Sequence, residues 1–82
     1  MARVTFYGPL SDVMGRVRAV DIGAGPVSLR ALVAQLEAET PELRDALSRT
    51  RVSYAVNNVM ASPDATVGDG DDIALLPPFS GG

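Results

Sequence analysis

Asp69-Gly70-Asp71-Asp72-Ile73-Ala74-Leu75-Leu76-Pro77-Pro78-Phe79-Ser80-Gly81-Gly82 is the stretch on which the reading of the fold turns. Glycine and aspartate open it as a turn cluster, and Asp72 to Leu76 reads as a strand with Ile73 and Leu75 on one face. Pro77 and Pro78 fix φ, lack backbone donors and favour an extended backbone, so the strand stops at Leu76. Gly81-Gly82 has no side chain to pack. The expectation is a folded body over residues 1–76 and an extended, flexible tail over residues 77–82, with the Gly82 carboxylate as the candidate reactive group. Six residues at ~3.1 Å each would reach roughly 19 Å beyond the sheet. A frayed end explains a terminal glycine pair equally well in isolation; the apolar strand and double proline before it favour the projecting tail.

Working back toward the N-terminus, Val4 and Phe6 alternate with Arg3, Thr5 and Tyr7 as a strand with one buried face, which Gly8-Pro9 ends. Leu10 to Met14 forms a turn of helix closed by Gly15. A second strand is expected from about Arg16 to Ile22, with a bulge where its apolar parity shifts between Ala19 and Val20. Ser28 caps a helix running to about Ala38, with Leu29, Leu32, Val33 and Leu36 on one face and Val27 placed to staple Leu32. Pro41 disfavours helical geometry at Thr40, so a second short helix starts there, with Thr40 as cap and Leu43, Ala46 and Leu47 as its apolar stripe. Val52, Tyr54 and Val56 mark a third strand. Asn57-Asn58 suits the positive φ of a tight hairpin, with Val59 to Ala61 as the return. A hairpin, a crossing helix and further strands on one sheet describe an α+β protein of ubiquitin-like β-grasp layout: a mixed sheet packed on one main helix, first and last strands adjacent and parallel.

Eighty-two residues hold one domain, which at this size buries only about 60 to 65% of its unfolded surface. Cysteine, histidine and lysine are absent, which removes Ser-His, Cys-His and Schiff-base mechanisms and argues against an autonomous enzyme. Without cysteine there are no disulfides or thiolate metal sites either. The N-terminus opens straight into a strand, with no signal-peptide core and no long apolar run, so the expected setting is the cytoplasm and no membrane partner is expected. The net charge is −3, and all seven basic residues are arginines dispersed from Arg3 to Arg51, which argues against nucleic acid as a partner.

Gly23-Ala24-Gly25 lies between strand and helix as a nucleotide-binding turn would, but Ser28 stands at the third glycine position and no Gly-Lys-Ser/Thr follows, so it reads as an ordinary loop. Asp69, Asp71 and Asp72 lack the frame and closing glutamate of a calcium loop, and no metal is expected. Glu37, Glu39 and Glu42 read as a solvated face. Strand parity puts Tyr7 and Leu76 on the outer face of the sheet, and Met60 joins them as an apolar candidate. Periodicity alone leaves two explanations open, a docking surface beside the tail or a small cluster covered by loops.

The early Val-Thr-Phe-Tyr strand, Ala55-Val56-Asn57-Asn58 and above all Asp69 to Gly82, with turn, strand, double proline and diglycine in order, resemble the MoaD/ThiS family of sulfur carriers, in particular its molybdopterin synthase small subunits. The resemblance covers essentially the whole chain. It implies a non-catalytic subunit of a sulfurtransferase complex in molybdenum cofactor biosynthesis. No cofactor would be bound; an ATP-dependent, MoeB-like activating enzyme would adenylate Gly82, and sulfur transfer would convert it to a C-terminal thiocarboxylate. A MoaE-like large subunit would form a hetero-oligomer with the carrier, contact Tyr7, Met60 and Leu76, and receive Pro77, Pro78, Phe79, Ser80 and Gly81 as the threaded tail. Two positions depart from the family pattern: Ser11-Asp12 replaces a common Arg-Glu pair, and Phe79 a smaller valine. A carrier for another sulfur pathway, of thiamin or cysteine type, a ubiquitin-like protein modifier joined to lysines through Gly82, and a plain interaction domain with an inert tail are the alternatives.

Overall fold

A computed structural model describes residues 1–77. Its strands are β1 (Ala2–Phe6), β2 (Val17–Val20), β3 (Val27–Ser28), β4 (Ser53–Val56), β5 (Val59–Ala61), β6 (Thr66–Val67) and β7 (Asp72–Leu76); its helices are α1 (Pro9–Met14), α2 (Leu29–Glu39) and α3 (Pro41–Arg49). Five strands form one sheet in the order β2-β1-β7-β4-β5, and β3 pairs with β6 in a separate two-stranded ladder. β1 and β7 run parallel at the centre, with Val4 opposite Ile73 and Phe6 opposite Leu75, and the other pairings of the large sheet are antiparallel. This is the β-grasp arrangement expected from the element order.

One face of the sheet carries the core. Val4, Phe6, Ile73 and Leu75 meet Leu29, Leu32 and Leu36 of α2, Leu10 and Met14 of α1, and Leu43 of α3 in one continuous cluster. The α2 stripe follows from the spacing of its leucines, and its first turn is closed by Ser28, whose Oγ accepts from the Ala31 N–H at 3.1 Å. Asn57 and Asn58 hold φ of 51° and 69°, the two positive values that a tight β4–β5 hairpin needs.

Three details differ from the sequence-based expectation. β2 is shorter than Arg16 to Ile22 and has no bulge, because its register against β1 is regular from Val17 to Val20. Arg18 and Val20 share its inner side, opposite Val4 and Ala2. A long side chain tolerates that position by laying its stem along the apolar edge and carrying its head outward: Arg18 Nη1 reaches Thr40 Oγ1 at 3.5 Å. Thr40 accordingly stands at the N-cap of α3 without its hydroxyl accepting a capping hydrogen bond, and its carbonyl accepts from Leu43 N–H at 2.9 Å. The β3–β6 ladder was not anticipated, since two-residue strands carry no readable period.

Candidate functional site

The outer face of the sheet is built by alternation. Residues opposite in sign to Val4, Phe6, Ile73 and Leu75 must point away from α2, and the pairing aligns Thr5, Ala74, Ala55 and Met60 in one row across four strands. The adjacent row toward the chain end holds Leu76 opposite Ser53. Tyr7 lies directly beyond β1 next to it, its N–H donating to the Leu75 carbonyl at 3.2 Å. Tyr7 is 41% exposed, Met60 57% and Val17, on β2, 53%, while Leu76 is half-buried and Ala55 buried. The three residues expected on this face are therefore on it. Ala55 and Ala74 keep the ground between Met60 and Leu76 shallow, so larger side chains stand at the margins of a low apolar field. Val17 completes the field; it was not singled out in the sequence, where the apolar parity of this strand shifts between Ala19 and Val20 and reads as a bulge.

At the edge of this field the chain turns toward the tail. Pro77 is half-buried, and its ring lies so close to Gly8 that a Cβ added there would sit 3.2 Å from Pro77 Cγ. Gly8 itself has φ 63° and ψ −143°, a conformation effectively reserved for glycine. The sequence reading took Gly8-Pro9 as the end of a strand; in space it is also the seat on which Pro77 rests. Pro78, Phe79, Ser80, Gly81 and Gly82, the rest of the expected tail and its reactive end, lie outside the described residues.

The acidic turn before β7 is a set of backbone clasps. Asp71 accepts from Gly68 N–H at 2.8 Å and from Asn57 Nδ2 at 3.1 Å, and Asn57 Oδ1 accepts from Asp72 N–H at 2.9 Å. These donors, the Gly68 amide foremost, hold the Asp71 carboxyl below its ordinary 3.8. Asp69 accepts from Ile22 N–H at 3.2 Å and lies 3.5 Å from the N-terminal ammonium. Among the described residues no group of three or more carboxylates gathers as a metal-holding set.

On the helix side, Arg30, Arg49 and Arg51, dispersed in sequence, line a single groove floored by Val33, Leu47 and Val52. Its charge is balanced: Arg30 pairs with Asp64 at 3.1 Å and Arg49 with Asp45, and Glu37 lines the same groove. Burial, with Glu37 adding to it, pushes the Tyr54 phenol up, against the opposing Arg30. Among the described residues no helix is long and apolar enough to cross a membrane.

Comparison with known proteins decides the family. The ThiS family model matches residues 4–82. The chain belongs to the ThiS family. This ThiS-family chain is 29% identical to the molybdopterin synthase sulfur carrier subunit of Escherichia coli (strain K12) over 82 residues, the whole of both chains. It is 43% identical over 51 residues to the protein of the same description from Mycobacterium tuberculosis, covering 62% of this chain and 59% of that one. Its fold superposes on SAMP1 from Haloferax volcanii with a TM-score of 0.76 at 26% identity, over 99% and 98% of the two chains. In the complex of subunits 1 and 2 of the molybdopterin-converting factor from Helicobacter pylori 26695, a chain superposes with a TM-score of 0.66 at 26% identity, over 99% and 97%.

Proposed function

We propose that this ThiS-family protein is a sulfur carrier that acts as the small subunit of a molybdopterin synthase. The observation that carries the reading is the end-to-end alignment with the Escherichia coli sulfur carrier subunit, which spans the proline pair and the final diglycine. In the proposed cycle a Gly82 carboxylate oxygen attacks the α-phosphorus of ATP on an activating enzyme and releases pyrophosphate. Hydrosulfide then attacks the acyl carbon of the adenylate and displaces AMP, leaving a thiocarboxylate. Glycine at this position leaves the acyl carbon open to the nucleophile. The chain has no histidine, cysteine or lysine to catalyse these steps, so the acids and bases belong to the partners. The low apolar field of Tyr7, Met60, Leu76 and Val17 is the proposed seat of the large subunit, from which the tail would be threaded to a pterin precursor; the two-subunit Helicobacter pylori complex supports such a pairing.

A second reading is favoured by the SAMP1 likeness, since that protein is described as a small archaeal modifier. It gives the same activated Gly82 but a final amide to lysine. One reaction mixture separates the two. Incubated with an activating enzyme, ATP and a sulfur donor, the protein is expected to gain the mass of one oxygen-to-sulfur exchange at Gly82, and the product to be consumed by a pterin precursor once the large subunit is added. Deleting Gly82, or adding one alanine after it, should abolish the exchange with little change in thermal stability. Isopeptide adducts without pterin conversion would select the modifier, consumption by another acceptor would select another sulfur pathway, and sulfur loading of the extended chain at the normal rate would overturn the role of Gly82 itself.

A further inference from the structure

The parallel strands β1 and β7 run out of the sheet side by side, and the residues just beyond them touch. Tyr7 N–H donates to the Leu75 carbonyl at 3.2 Å, which carries the β1–β7 pairing up to the residue before Gly8. Gly8 has φ 63° and ψ −143°, and the Pro77 ring packs against it: a Cβ added at Gly8 would meet Pro77 Cγ at 3.2 Å, Cβ at 3.5 Å and Cδ at 3.8 Å. The Gly8 peptide is itself held. Its carbonyl accepts from the Ser11 N–H at 3.0 Å and from the Ser11 hydroxyl at 2.8 Å, so the serine that departs from the family pattern has a use within the chain. Two constraints on Pro77 give this contact a consequence. Its ring fixes φ near about −65°, and, because a second proline follows it in sequence, its ψ is confined to the extended range. With both torsions restricted, placing the ring also places the peptide bond that follows it. The ring can reach this place only because residue 8 lacks a Cβ.

We propose that Gly8 is a positioning residue for the carrier reaction: through the Pro77 ring it sets the direction in which the chain leaves the folded body, before any partner is bound. The inference rests on the carrier reading above and adds to it a residue that the reading does not contain. Pro77 stands five residues before Gly82, so the seat takes no part in the chemistry at the carboxylate. Its effect is on engagement. A partner that needs one exit direction finds it already populated and does not have to order the root of the tail as it binds. Losing the seat should therefore raise the concentration of carrier that the activating enzyme needs, its KM, and leave kcat close to that of the parent.

Steady-state release of pyrophosphate from ATP by the adenylating enzyme, at varied concentrations of the full-length carrier, tests it. Gly8→Ala and Pro77→Ala are each expected to raise KM roughly threefold or more, with kcat within about twofold of the parent. The decisive reading is their combination. Pro77→Ala removes the Cγ and Cδ atoms that crowd a Cβ at residue 8, so the double variant should have a KM close to that of Pro77→Ala alone. The stability lost to an alanine at φ 63° should persist in both backgrounds, which separates the backbone effect from the contact. In NMR of the free parent, nuclear Overhauser contacts are expected between the Gly8 α protons and the Pro77 ring. A KM for Gly8→Ala equal to that of the parent, KM increases that multiply in the double variant, or absence of the ring contacts would each overturn the positioning role. Turnover of the parent by itself reports on the carrier reading, so the two can fail separately.

Discussion

Asp71 shows how much of this molecule is fastened by single carboxylates to backbone donors. Because its folded pKa is lowered, the unfolded chain takes up its proton first on acidification. Its contribution is present in full above the ordinary 3.8 and is lost as pH falls through the lowered folded value. Asp71→Asn keeps an acceptor but removes the charge, so urea midpoints should fall below those of the parent at pH 7, and the gap should be narrower at pH 3. An equal gap at both pH values would assign the effect to geometry and not to charge. Gly8 is constrained twice, by a backbone conformation closed to other residues and by the Pro77 ring. Gly8→Ala is expected to cost about 1 to 3 kcal/mol in chemical denaturation. This double demand could not be seen in the sequence, where Gly8-Pro9 reads only as punctuation: the contact joins residues at opposite ends of the chain. Asp71 was similarly opaque, since an Asp-Gly-Asp-Asp run suggests turn chemistry without showing that Asn57 is its partner.

Among the elements, α2 and β7 were legible because their apolar residues repeat with a single unambiguous period. Leu32 lies under α2 at the centre of the core and is 2% exposed. Leu32→Ala should lower stability by about 2 to 4 kcal/mol, measured by denaturant titration, and a loss within experimental noise would contradict the packing described here. β2 was misread for a physical reason. On an edge strand an arginine can occupy an inward position by snorkelling, as Arg18 does, so the pattern of side-chain types departs from the pattern of faces, and the apolar parity shift between Ala19 and Val20 looks like a bulge. The β3–β6 ladder was invisible because it is held by the chain crossing at Val27 and Val67, not by any local preference. The cap at Ser28 was readable and functions as expected, whereas Thr40 was readable as a position but its hydroxyl answers to Arg18 of a distant strand.

For the whole molecule, the sheet separates two surfaces: a helix side occupied by the core and an outer side on which Tyr7, Val17 and Met60 stand exposed. The outer field was legible as Tyr7 and Leu76 from strand parity, with Met60 as a further apolar candidate, but its extent to Val17 and its shallow alanine floor required the register. Met60→Asp is the cleaner probe of this field, because Leu76 is half-buried in the free protein while Met60 stands in water. With the large subunit proposed above, Met60→Asp should weaken association at least roughly tenfold by titration calorimetry and leave the thermal midpoint near that of the parent; unchanged affinity would move the interface elsewhere. The central parallel pair of β1 and β7 reaches into the life of the protein at the ribosome. The first strand emerges with its neighbour on one side missing, and that neighbour follows every other described element in chain order, so the nascent chain must wait for all of them before the sheet can close. Chains terminated before Asp72 should remain open to protease in pulse digestion. Quality control thus comes with the topology: a copy that folds well enough to offer its apolar field has necessarily been translated through the strand that leads to its tail.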